Sequence, residues 1–187
     1  APTVAMIRAK AVLMKRLKGL GLLIIDHLLY HGRPDPRMGE FEAIRANLQA
    51  LKKLAKDLHI PVILLTQLKA EYDAMREVRR PTDSDIYGGS ALRQEADVLA
   101  FIYREEVMLL KREPHKEADG YGSWQGRLIN SLGKAEIILS KRRGGIGHGI
   151  RTMGFIAART QFTDDVGRSV AIARDAYFGR TPEQQRL

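Results

Sequence analysis

Two aliphatic runs, Leu22-Leu23-Ile24-Ile25 and Val62-Ile63-Leu64-Leu65, constrain the fold of this chain more than any other feature. A strand that is apolar at every position is expected to be buried on both faces, as in a parallel sheet covered by helices. The segment between them reads as a long helix, about 38–58, with Phe41, Ile44, Leu48, Leu51, Ala55 and Leu58 as its apolar stripe. Ahead of the first run, residues 3–18 read as an amphipathic helix. Thr3 is its N-cap, Val4, Ile7, Ala11, Met14 and Leu17 recur at helical spacing, and Gly19 and Gly21 end it. A short helix at about 90–96 leads into a third strand, Val98 to Tyr103. Further strands are expected at 135–140 and 150–157. Residues 69–89 read as a long loop, 107–134 as an irregular insertion, and 168–178 as a candidate helix in a weakly patterned tail. Strand, helix, strand in this order predicts an α/β fold: a mostly parallel sheet flanked by helices, with an antiparallel hairpin at its C-terminal edge.

Ligands of such sheets bind beyond the carboxyl ends of the strands, so the residue at each strand end matters most. Asp26 ends the first run. A carboxylate there can order Mg²⁺ through its water shell and so reach the outer phosphates of a nucleotide, although many α/β strands end in Asp. Gln67 ends the second. Its amide can donate to a γ-phosphate or orient a water, or simply cap a turn. Lys141 and Arg143 alternate and therefore share a face. They form either a phosphate clamp or a solvated basic edge. The segment 76–90 has basic residues, Tyr87 and the Gly88-Gly89 pair. It can hold single-stranded nucleic acid, or be an ordinary surface loop. His59 is expected to end the long helix. The five histidines show no ligand spacing, so no zinc is expected.

Composition narrows the classes. There is no cysteine, which excludes disulfides and thiolate metal sites. A net charge of +9, from 31 basic and 22 acidic residues, favours a polyanion such as nucleic acid, or is simply a basic surface. No run approaches the ~18 apolar residues that span a bilayer, so no membrane partner is expected. No secretory leader is expected either.

In order and spacing, these pieces resemble the helicase motifs of the DnaB family. They are Leu22 to Asp26, Val62 to Gln67, Arg80-Pro81 with Ser84-Asp85-Ile86, Gln94-Glu95-Ala96-Asp97 before the strand ending Tyr103-Arg104-Glu105-Glu106, and Lys141-x-Arg143 with Gly144-x-Ile146-Gly147. The resemblance covers roughly residues 3–163, leaving 164–187 as a tail. It implies a RecA-like motor domain, ATP and Mg²⁺ as cofactors, and a hexameric ring around single-stranded DNA. Primase or a helicase loader would be a further partner, in a bacterial or phage cytoplasm. It makes Asp26 the Walker B carboxylate and Gln67 the sensor of the γ-phosphate. Lys141 and Arg143 become cations offered to the neighbouring subunit's nucleotide, with Arg143 as arginine finger. Arg79, Arg80, Tyr87, Gly88 and Gly89 become the DNA-facing residues. The family usually has Arg-Glu-Ser-Gly after the Ser-Asp-Ile step. Here Tyr87-Gly88-Gly89-Ser90 follows, and Tyr87 could stack on a base.

No G-x-x-x-x-G-K-[ST] occurs in the 187 residues. The amides and lysine of that loop cradle a triphosphate, so the nucleotide-binding core is expected to be incomplete and this chain alone not to hydrolyse ATP. Residue 1 is then expected not to be the natural start, and apolar strand surface is expected to be left uncovered. Two other readings are a catalytically inactive RecA-like module that regulates a helicase, and a related recombination ATPase.

Overall fold

The first helix, α1 (Val4–Lys18), starts where the sequence says it should. The Thr3 side chain accepts a hydrogen bond from Met6 N at 3.3 Å, and Gly19, at φ 67°, closes the other end in the left-handed conformation. The structure is a computed structural model that describes residues 2–27, 34–35, 37–145 and 148–179. It divides into two compact units. One comprises residues 1–74 and 82–97, the other 75–81 and 98–187.

In the first unit, β1 (Leu23–Ile25) and β2 (Val62–Leu64) pair in parallel, with Leu23 opposite Val62 and Ile25 opposite Leu64. The helix α2 (Glu40–Leu58) joins them and ends on His59, whose left-handed backbone lets its N–H reach Ala55 O and Lys56 O. Val4, Ala11, Ile25, Leu51 and Leu54 form the core, with Leu23, Val62 and Leu64 against it. Both helices therefore cover the same face of the two strands. The alternate residues point away, and Ile24 and Ile63 are 58% and 46% exposed. Burial on both faces thus does not hold among the described residues. Phe41 also leaves the expected stripe of α2 and lies exposed, while Asn47 takes a buried place. On α1, Met14 and Leu17 are exposed and only Val4 and Ala11 are fully buried.

The stretch from 69 is more ordered than a loop. It contains α3 (Ala70–Ala74), a 3-10 turn at Asp83–Asp85 and α4 (Gly89–Glu95). Asp85 explains the turn: its carboxylate accepts from Thr82 N at 2.7 Å and from Thr82 Oγ1 at 2.8 Å, while Ile86 is buried behind it.

In the second unit, β3 (Val98–Tyr103), β4 (Lys134–Arg142), β5 (Gly149–Ile156) and β6 (Gln161–Thr163) form one antiparallel sheet in chain order. The antiparallel part is therefore four strands rather than a terminal hairpin. The parallel pairing among the described residues is that of β1 with β2. The cause lies between β3 and β4. Residues 107–134 are not irregular but carry most of α5 (Glu105–Leu110) and all of α6 (Tyr121–Ser131), a helical pair that returns the chain antiparallel to β3. Leu109, Trp124, Leu128 and Leu132 form the core of this pair, and Trp124 Nε1 donates to Leu109 O at 3.0 Å. The helix expected at 168–178 is present as α7 (Val166–Phe178), capped by Asp165 and packed on β5. Within the expected tail, residues 180–187 lie outside the described residues.

Candidate nucleotide and nucleic-acid site

Asp26 is the first residue past β1, and Gln67 lies three residues past the end of β2. Because β1 and β2 are adjacent and parallel, both residues stand at the same, carboxyl end of the pair. The Gln67 side-chain amide hydrogen-bonds His27 Nε2, next to Asp26, at 3.3 Å. Asp26 is exposed and makes no hydrogen bond or ion pair with any described residue. Beside Gln67, the Thr66 hydroxyl oxygen is buried without a hydrogen-bond partner among the described residues. An unengaged carboxylate and an unsatisfied hydroxyl at one strand end form a donor set suited to a hydrated Mg²⁺ held mainly by phosphates. No group of three or more metal-ligating side chains occurs among the described residues, so nothing here resembles an all-protein metal cage.

The segment past β2 folds back on it. Leu68 bridges Ile86, Lys69 N donates to Asp85 O at 2.7 Å, and Tyr87 N donates to Gln67 O at 3.2 Å. Tyr87, which leads into Gly88 and Gly89, is therefore in backbone contact with Gln67. Helix α2 holds Tyr87 and Gly88 from the other side. The Tyr87 hydroxyl donates to the Glu40 carboxylate, which raises the phenol's pKa, with burial adding to the effect. Gly88, at φ +71°, is buried against Ile44. Further along, Gln49 and Lys52 of α2 bind the end of α4 through Glu95 and Asp97.

Arg79 and Arg80 fall in the other unit. Arg80 is committed to a two-pronged pair with Glu136 of β4, at 2.6 and 2.8 Å, and this contact raises its pKa. Arg79 donates to Arg80 O and to Met75 Sδ. Lys141 lies on β4 opposite Leu99, five positions beyond Glu136, and Arg143 is exposed in the turn that follows. Ile146 and Gly147, expected to complete that turn, lie outside the described residues. Thus Asp26, Gln67, Tyr87, Gly88 and Gly89 belong to one unit, and Arg79, Arg80, Lys141 and Arg143 to the other.

The motifs that carry this geometry are those of a known family, whose model of the "DnaB-like helicase C terminal domain" matches residues 1–164. The chain belongs to the DnaB-like helicase C-terminal domain family. Its relatives include the replicative DNA helicase DnaB of Rickettsia bellii (strain RML369-C), 40% identical over 150 residues, which cover 76% of this chain and 29% of that protein. The chain thus spans under a third of the curated relatives it matches. Among solved structures, a DnaB-like replicative helicase, described with its interactions with primase, superposes with a TM-score of 0.67 at 26% identity, over 86% of this chain and 34% of the other. A second, described as an ATPase domain, gives 0.68 at 26% identity, over 87% and 51%. The fold is accordingly that of a RecA-like DnaB ATPase domain. The family match ends just before α7.

Three partners escaped sequence reasoning: Glu40, Glu136 and His27. His27 had a signal, since it directly follows Asp26. Glu40 reads in sequence as an ordinary acidic first-turn residue of a helix, and Glu136 as a polar residue at the start of a strand.

Proposed function

We propose that residues 1–163 are the part of an ATP-dependent, ring-forming replicative DNA helicase that runs from the Walker B strand to the arginine finger. The assembled ring would translocate on single-stranded DNA and separate the duplex, with 164–187 as an appended tail. The observation that carries this reading is the contact chain in the first unit. Asp26 and Gln67 share one strand end, and Gln67 O accepts from Tyr87 N, so a nucleotide site and a DNA-facing loop are one hydrogen bond apart.

In this reading ATP supplies the phosphoanhydride whose hydrolysis drives the cycle, and Mg²⁺ neutralises its phosphates. Asp26 orders the ion through its water shell. Gln67 donates its amide toward the γ-phosphate and passes its position to Tyr87 through the backbone. Lys141 and Arg143 offer positive charge to the nucleotide of an adjacent subunit, Arg143 as the finger. A finger in trans completes the charge stabilisation only when subunits close, which couples turnover to ring geometry. Arg79, Arg80, Tyr87, Gly88 and Gly89 face single-stranded DNA. A homohexamer is the assembly, primase or a loader the accessory partner, and the cytoplasm of a bacterium or phage-infected cell the setting. No helix of the described residues is long and apolar enough to cross a membrane. The chain by itself does not turn over ATP in this reading, because no residues in it supply the triphosphate cradle.

The test is a chimera in which residues 1–164 replace the matching segment of the Rickettsia bellii helicase. Asp26→Asn and Arg143→Ala should each reduce its DNA-stimulated ATPase strongly, the latter by ~10³-fold or more. Mixed rings of the two variants should recover part of the activity, because some interfaces then combine an intact Asp26 with an intact Arg143. An Arg143→Ala chimera that assembles and still hydrolyses ATP at the parental rate would refute the finger assignment.

A further inference from the structure

Tyr87 is the one aromatic residue of the 79–90 segment. The ring is held in an unusual way for a surface tyrosine. Its hydroxyl donates to Glu40, the first residue of α2. Its backbone N–H is bonded to Gln67 O at 3.2 Å. The next residue, Gly88, has φ +71° and sits so close to α2 that an added Cβ would be 3.3 Å from Ile44 Cγ2. Both ends of the tyrosine, phenol and peptide, are thus anchored to the body of the first unit, and the half-buried ring cannot swing freely.

We propose that Glu40 is a positioning residue for single-stranded nucleic acid: its carboxylate fixes the Tyr87 ring as a stacking platform for one base, beside the Gly88-Gly89 backbone. This rests on the reading of the 79–90 segment as DNA-facing and assigns the contact that reading leaves open. The chemistry suits a sequence-tolerant site. Every base has a π-face, and an aromatic platform contributes ~5-fold to ~150-fold in affinity per base. A preoriented ring loses less freedom when the base arrives than a mobile one. Glu40 itself touches no ligand. It acts through the phenol, and the raised phenol pKa is the signature of that contact.

The experiment uses the 187-residue chain and a thymidine oligonucleotide of about 12 residues carrying a single 2-aminopurine, a length within the usual range of one binding site. Stacking on an aromatic ring quenches 2-aminopurine, which a purely structural role of Glu40 would not alter. Tyr87→Ala should weaken binding ~10-fold and abolish the quench. Glu40→Ala and Tyr87→Phe should each weaken binding ~3- to 5-fold with partial loss of quench, and their combination should be no worse than either alone. Glu40→Gln, which keeps an acceptor oxygen, should bind within ~2-fold of the parent. Ultraviolet titration of the unbound chain should find one phenol shifted down by Glu40→Ala. If the parent binds and quenches but Glu40→Ala does so equally well, the positioning role fails and the DNA-facing loop stands. If the parent does not bind the oligonucleotide at all, both fail.

Discussion

Gly154→Ala should dislodge α7 from the sheet of the second unit. A Cβ at position 154 would lie 2.7 Å from Thr163 Cγ2 and 2.9 Å from Ser169 Cβ, and closer still to Ser169 Oγ. None of these atoms can yield cheaply. Thr163 is the ladder partner of Gly154 on β6. Ser169 is fully buried and its hydroxyl donates to Val166 O at 2.9 Å within the first turn of α7. Gly133 presses on the same helix from the turn that leads into β4, where an added Cβ would sit 2.7 Å from the Ser169 carbonyl carbon. The seam Gly133, Gly154, Ser169 thus seats α7 with no room for a methyl group. Forcing one in should cost ~1–3 kcal/mol, the usual range for overpacking. For a chain of this length that is a fall in Tm of roughly 2–12 °C. Since two units can melt separately, amide exchange is the sharper assay, and the amides of 166–178 should lose protection first. Adding Ser169→Gly removes the two obstructing atoms of Ser169 and leaves only Thr163 Cγ2 to be displaced. It costs up to ~1 kcal/mol by itself as a glycine in a helix. The double variant should nevertheless be at least ~1 kcal/mol more stable than the two single effects predict when summed. Additive effects within ~0.5 kcal/mol, or a Gly154→Ala chain that melts like the parent, would refute the argument.

Three other outcomes follow from named contacts. The hydrogen bond from Arg8, 2.8 Å from Asp57, depresses the Asp57 pKa from its ordinary 3.8. The contact's contribution is therefore fully present above that value and lost as pH falls through the depressed one, and Arg8→Ala should flatten the acid limb of a stability–pH curve. Burial pushes the Tyr177 phenol above 10.0. Packing of α7 should hold up to that pH and weaken as pH rises through the raised pKa, and Tyr177→Phe should remove this alkaline loss in a melt series. Glu136→Gln should release much of the hold on Arg80. The cost in stability is ~1 kcal/mol or less for so exposed a pair. If Arg80 can then reach a phosphate, the salt dependence of single-stranded DNA binding should steepen by about one counterion.

What could be read from sequence was whatever depends on near neighbours. Thr3 and Gly19 delimit α1 because capping is a matter of three or four residues, and His59 ends α2 for the same reason. Asp26 and Gln67 could be paired in advance because each sits just past an aliphatic run in a strand–helix–strand unit, and such units place strand ends together. The side on which helices lie could not be read. Leu22 to Ile25 is equally apolar on both faces, so nothing in it reveals that α1 and α2 both choose Ile25 and leave Ile24 exposed. The direction of β3 was hidden for a related reason. It depends on whether 105–133 forms a helical pair, and that segment, interrupted by glycines and Pro114, has few residues at helical spacing beyond Trp124 and Leu128. Glu40 and Glu136 are distant in sequence from the tyrosine and arginine they hold, by 47 and 56 positions, and no local pattern marks such pairs.

Those two long-range pairs bear on how the proposed machine transmits force. Within each unit, a residue proposed to meet DNA is tied to the element that carries a residue proposed to meet nucleotide. In the first, Tyr87 is tied to Gln67 by a backbone hydrogen bond and to α2 through Glu40. In the second, Arg80 is tied through Glu136 to β4, the strand that ends in Lys141 and Arg142 and leads to Arg143. A strand transmits displacement along its length far better than a loop does, because its ladder resists bending. A phosphate that competes with Glu136 for Arg80 would therefore disturb the finger strand directly, whereas a base stacking on Tyr87 would bear on the γ-phosphate sensor. The two couplings are separable by mutation. In the chimeric ring, Glu136→Gln should weaken the dependence of ATP turnover on DNA while leaving the stacking signal intact. Glu40→Ala should weaken the stacking signal and leave the Arg80 ion pair untouched. A ring in which either change abolished both responses alike would show one shared lever in place of two.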